Sequence, residues 1–190
     1  MSCIPPTRKC APATVSGNTD LAALVRLYRI HNRPNSEREI EFFRKMPSLE
    51  LAVHHAALAT DSRGKRYGHQ CRITQASLKR AKQILSQSFH KIEKCCSFHE
   101  LHSLLTETLG AVRGLGELYI YDTAFRLGAF RRLAPEFVYL HRGTRTGAQA
   151  LGLETSGSHL AVDDLPKPLR SLAPHELEDF LCIYKGHFSK

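Results

Sequence analysis

Gly114-Leu115-Gly116, set between two runs of helical apolar period, constrains this chain more than any other stretch. Glycine takes positive φ without a Cβ clash, so two glycines around one leucine permit a helix-to-helix turn too tight for most residues. The run before it opens at the capping box Ser97-Phe98-His99-Glu100 and puts Leu101, Leu104, Leu105 and Thr108 on one face, ending near Gly110. The run after it spans Leu118 to Phe130. Ile120, Tyr121, Ala124, Leu127 and Gly128 share one side of it, and Tyr119, Asp122, Thr123 and Arg126 share another, which predicts an amphipathic helix. The pattern reads as a helix-hairpin-helix. Its second helix would begin with backbone N–H groups that lack intrahelical partners, at the positive end of the helix dipole. Such a terminus suits an anion, including a DNA phosphate, which makes Gly114 and Gly116 candidate contact residues. An ordinary helical corner can carry the same Gly-x-Gly, so the surrounding charge has to decide its weight.

That charge is strongly positive and unevenly spread. The formal net charge is +9. Arg63, Lys65, Arg66, Arg72, Lys79, Arg80, Lys82 and Lys91 stand against Asp61 in one span, and Arg126, Arg131, Arg132, Arg142 and Arg145 against Glu136 in another. From Glu154 to Asp179 the balance reverses, with Asp163, Asp164, Glu176 and Glu178 between them. A basic face with an acidic end suits a polyanion. The loop from Asp61 to Arg72 holds Gly64, Gly68 and Tyr67 among its cations, so Arg63, Lys65 and Arg66 are candidate phosphate contacts and Tyr67 a candidate stacking ring. Arg142 and Arg145, where a loop enters a helix, complete the candidate DNA-binding set.

The rest of the chain reads as helix after helix. Asp20 caps a first helix through Leu24 and Tyr28, and the stretch His31 to Asn35 breaks it. A second helix starts at Ser36-Glu37-Arg38-Glu39, a third follows Ser48, and a long one runs from about Thr74 to His90. The last begins with Pro174 in its first turn and stops near Gly186. No alternating strand run stands out, so the expected class is all-α, with a flexible tail over 1–18 and a single helical domain over 19–190. The 190 residues contain no apolar run of membrane-spanning length and no secretory signal pattern, which points to a cytoplasmic protein, nucleoid-associated if it binds DNA. The six cysteines follow no repeating spacing and are read as reduced. Cys95, Cys96, His99 and His102 lack the second ligand knuckle of a structural zinc site, so neither metal nor cofactor is expected.

Beyond these patterns, residues 98–188 resemble the helix-hairpin-helix DNA glycosylases, the superfamily of endonuclease III and the adenine-mismatch glycosylase. The shared features are Gly114-Leu115-Gly116, the Thr123-Ala124 pair, the segment Val138-Tyr139-Leu140-His141-Arg142-Gly143-Thr144-Arg145 leading to Leu151-Gly152-Leu153, and a closing helix that ends Tyr184-Lys185-Gly186. The resemblance implies a helical fold and a DNA partner. It does not carry over the chemistry: the family's catalytic aspartate corresponds to Tyr139, its lyase lysine to Asp122, and Cys182 alone cannot stand for the four cysteines of an iron-sulfur cluster. Asp122 is the remaining acid near the expected cleft, although an i,i+4 pair with Arg126, or a part in satisfying the helix start, accounts for it better. The expected function is therefore duplex DNA binding without the family's usual base excision. The alternatives are an active glycosylase or other base-acting enzyme with a rearranged acid, and a helical module that binds an acidic protein.

Overall fold

The computed structural model describes residues 20–188, so the segment read as a tail, 1–18, lies outside the described residues. The chain is all-α, with one two-stranded ribbon among the described residues. Where the sequence reads as one helical domain, the contacts gather into two compact units, one of residues 38–134 and one of 20–37 with 135–188. The elements are α1 (Leu21–His31), α2 (Arg33–Arg44), α3 (Leu49–Leu58), α4 (Gln75–Ser86), α5 (Phe89–Lys94), α6 (Phe98–Leu109), α7 (Glu117–Arg131), β1 (Val138–Tyr139), α8 (Arg142–Ala150), β2 (His159–Leu160) and α9 (Pro174–Tyr184).

The first unit packs α3 and α6 against α7, with α4 laid on α3 and α6. Helix starts are set by side-chain caps: Ser48 accepts from the Leu51 N–H, Thr74 from Ser77, and Ser97 from Glu100. Phe43, Val53, Leu78, Leu85, Phe98, Leu101, Leu105, Leu109, Ala124 and Leu127 form its apolar interior. The expectation of an amphipathic α7 is corrected here. Tyr119, Thr123 and Arg126, read as the polar side, are as buried as Ile120, Ala124 and Leu127, because neighbouring segments cover the helix on both sides. Tyr119 donates its hydroxyl to the Ala57 carbonyl at 2.7 Å, and burial pushes its phenol up to about 12.

The helix read over Thr74 to His90 is two helices. Gln87 N–H bonds the Gln83 and Ile84 carbonyls, and the Ser88 hydroxyl takes the Ile84 carbonyl at 3.0 Å, so the Ser86-Gln87-Ser88 run ends α4 before α5 begins. The start of α2 moves as well, from Ser36 to Arg33. Pro34 then falls in the first turn, where its missing N–H removes no helical bond.

The second unit buries Leu24, Val25, Tyr28, Val138, Leu140, Leu165, Leu169, Leu177, Phe180 and Leu181 in one cluster. Helices α8 and α9 meet through glycine. A Cβ at Gly147 would come within 2.8 Å of the Leu181 carbonyl carbon, and one at Gly143 within 2.5 Å of Cys182 Sγ. Glycine lets the two backbones touch at these positions. The ribbon pairs Val138 with Leu160 and Tyr139 with His159, antiparallel; two residues per strand are too few to leave an alternating pattern in the sequence.

Candidate functional site

Between α6 and α7 the chain turns through residues 110–116. Gly114 takes φ +87°, a conformation that favours glycine, and Gly116 caps α7 with an extended backbone at φ −102° and ψ 178°. Gly116 is exposed, and nothing lies within 4 Å of where its Cβ would be. Glu117 occupies the first turn, where the helix dipole favours a carboxylate.

A chain of hydrogen bonds ties this turn to the basic loop. Ser77 of α4 donates its hydroxyl to the Arg113 carbonyl at 2.8 Å. Arg66 donates to the Ile73 carbonyl at 2.9 Å and to Gln75 at the start of α4. Within the loop, Asp61 accepts the backbone N–H groups of Arg63 and Lys65, both at 2.9 Å, while Gly64 makes the reversal at φ +71°. Burial acts to raise the Asp61 carboxyl, but Arg63 and the two N–H groups outweigh it and hold it below the usual carboxylate range. Of the loop's candidate contacts, Arg63 bonds Asp61 yet keeps 69% of its side chain exposed, Lys65 is exposed, and Arg66 is partly buried in holding the loop to α4.

Beneath the loop lies a polar network that sequence reasoning did not assemble. Arg126 is 1% exposed; its Nε donates to Glu39 at 2.7 Å, its Nη1 to Gln70 at 3.0 Å, and its guanidinium covers the ring of Tyr67 at 4.2 Å. Tyr67, read as a stacking ring for a base, thus presents a face to Arg126 instead. Burial by itself would make the guanidinium easier to deprotonate, but Glu39 and Asp122 overcome this and keep it charged. Asp122 does pair with Arg126, at 3.9 Å, but has nearer donors: Gln70 Nε2 at 2.6 Å and His69 Nε2 at 2.8 Å, both to Oδ2. Its side chain remains 16% exposed and that of His69 41%. No spacing rule links residues 39, 69, 70 and 126. The one sequence clue was Arg126 four residues after Asp122 on α7; burial of that arginine would demand such partners.

In the second unit, Arg142 is exposed at the start of α8. Arg145 is partly buried and clamps the chain around it, donating to the carbonyls of Leu140 at 3.1 Å, Gly157 at 3.0 Å and Thr155. His141 caps α8 by accepting the Gly143 N–H at 3.1 Å, and its other ring nitrogen meets Glu178 and, at 2.8 Å, Thr144. Those three side chains are buried, so they join α8 to α9 rather than face a ligand. Tyr139 is 2% exposed, and burial pushes its phenol above the ordinary tyrosine range, with Glu136 adding to the effect. Among the described residues no group of three or more His, Cys, Asp and Glu side chains could hold a metal ion, and no helix is long and apolar enough to cross a membrane. No protein-family model, no curated protein and no solved structure matches the chain.

Proposed function

We propose that the protein binds double-stranded DNA through its first unit, with the start of α7 receiving a backbone phosphate. The carrying observation is the open cap at Gly116, which sits in a turn hydrogen-bonded to α4 while Arg66 bonds the basic loop to the same helix start. An exposed N-terminus, flanked in sequence by Arg113 and joined to segments bearing Arg63, Lys65 and Arg72, offers N–H groups and exposed cations to one strand. Arg66 and Arg145 act first as supports for the loops they hold. Binding of this kind reads the backbone, so it depends strongly on salt and weakly on sequence.

Base excision by the usual route of the resembling glycosylases is not part of this reading. A buried tyrosine at position 139 offers no carboxylate to stabilise an oxocarbenium-like state. The test is binding of a labelled duplex over a range of salt. The account expects Arg63→Ala with Lys65→Ala to weaken binding to unrelated sequences alike and to reduce the slope of log K against log salt by about 2. An unchanged slope removes the loop from the interface. Absence of duplex binding in the unmodified protein leaves the helical protein-interaction alternative in its place.

A further inference from the structure

We infer that His69, positioned by Asp122, is a general base that cleaves single-stranded RNA by attack of a ribose 2′-hydroxyl on the neighbouring phosphorus. The geometry that carries this is the half-open His69–Asp122 pair over a network that fixes its carboxylate. The 3-10 turn Gly68–Gln70 presents the imidazole, and Asp122 Oδ2 accepts from its Nε2 at 2.8 Å. In the neutral ring that bond puts the proton on Nε2 and the lone pair on Nδ1. Nδ1 has no hydrogen-bond partner among the described residues, and the side chain is 41% exposed.

Asp122 is held from the inside. Gln70, itself 1% exposed, donates its amide N–H to the same carboxylate oxygen, while its carbonyl accepts from Arg126. Arg126 is in turn fixed by Glu39 and the ring of Tyr67. Glu39 alone would neutralise the buried guanidinium. The second carboxylate adds negative charge to the cluster and directs it to a ring at the surface. A packed interior gains little from that arrangement, whereas a site that must hold one tautomer in one orientation requires it.

A lone base that takes a single proton suits a reaction whose nucleophile is already attached to the substrate. RNA has such a nucleophile in its 2′-hydroxyl, adjacent to the phosphorus and favoured by high effective molarity; DNA has none. In the step, the O2′–H proton passes to Nδ1 as the O2′–P bond forms. The P–O5′ bond breaks with its electron pair on O5′, and His69 returns the proton to that oxygen through water. The products are a 2′,3′-cyclic phosphate and a 5′-hydroxyl, and no other reactant is consumed. Lys65 and Arg72, exposed on the same loop, provide positive charge for the developing phosphorane.

The proposal goes beyond duplex binding, and one experiment keeps the two apart. The full chain is incubated in EDTA with an end-labelled single-stranded RNA, the matching DNA, and the RNA carrying one 2′-O-methyl group; duplex binding is measured on the same preparations. Cyclic-phosphate ends are expected from RNA alone, with no cut at the methylated position. His69→Gln should lower the rate by about 100-fold or more. Asp122→Asn, checked for folding by amide exchange, should lower kcat with little change in KM and leave His69→Gln no slower when the two are combined. RNA left intact, DNA cut alongside it, or cleavage undiminished in His69→Gln overturns the proposal, whether or not duplex binding persists.

Discussion

Replacing Arg126 by Met removes the charge at the centre of the first unit while keeping most of the side-chain volume. The guanidinium is 1% exposed and is shared by Glu39, Gln70 and Asp122, with Tyr67 under its face. Without it, Glu39 and the Gln70 carbonyl lose the donor that joins them, and Asp122 keeps Gln70 and His69 but loses the neighbouring positive charge. Removing one member of a buried ion pair costs about 3 to 5 kcal/mol. Glu39 and Asp122 retain 22% and 16% of their side-chain exposure, so water reaches part of each and the low end applies, about 3 kcal/mol. Lys at this position keeps the charge but cannot bond Glu39 and Gln70 together, and should lose about half as much. The chain has no tryptophan, and its two units need not unfold together, so amide exchange along α7 is the appropriate measurement. A loss of 3 kcal/mol speeds exchange of the most protected α7 amides by roughly 100-fold. A loss below about 1 kcal/mol in Arg126→Met would show that the network contributes little net stability, and the argument from its cost would fail.

Other expectations follow from the same geometry. Gly147→Ala drives a methyl into the Leu181 backbone and should destabilise the second unit by about 1 to 3 kcal/mol, whereas Gly186→Ala, with nothing within 4 Å, should change little; equal melting shifts for the two would contradict the close α8–α9 packing. Burial holds the His175 imidazole below its ordinary value, so its neutral form contributes stability above about pH 6.5 that is lost as the pH falls from there toward the lower folded value. His175→Gln should therefore flatten the fall of melting temperature over that range, and an unaltered profile would refute the assignment. Glu117→Gln removes a carboxylate that competes with a phosphate at the start of α7, so duplex affinity should rise about 2- to 5-fold, corresponding to about 0.3 to 1 kcal/mol; weaker binding would place the phosphate elsewhere.

Much of the helical fold was legible because it is locally encoded. Asp20, Ser48, Thr74 and Ser97 each cap a helix where the sequence places one, and Phe98–Leu109 follows its apolar period and ends next to Gly110. What escaped depends on tertiary contact. Arg126 reads as surface until Glu39, Gln70 and Tyr67 arrive from distant segments. Arg145 reads as a phosphate ligand until the carbonyls of Leu140, Thr155 and Gly157 close around it. The stretch His31 to Asn35 does break the first helix, at Asn32, but Pro34 belongs to the first turn of the next, a place that proline fits and that only the position of that turn reveals. His69 and Asp122 meet across 53 positions of sequence, a distance over which composition and period carry no information.

Gly116→Val separates a phosphate-binding start of α7 from a merely exposed one. The backbone there, at φ −102° and ψ 178°, is open to any residue, and the space around its Cβ is empty, so the variant should fold with a cap loss of at most about 1 kcal/mol. Its branched side chain nevertheless stands where a phosphate would approach the first N–H groups of α7. With folding confirmed by unchanged amide protection in α6 and α7, the account predicts at least a tenfold loss of duplex DNA affinity at fixed salt; affinity equal to that of the unmodified protein would contradict it.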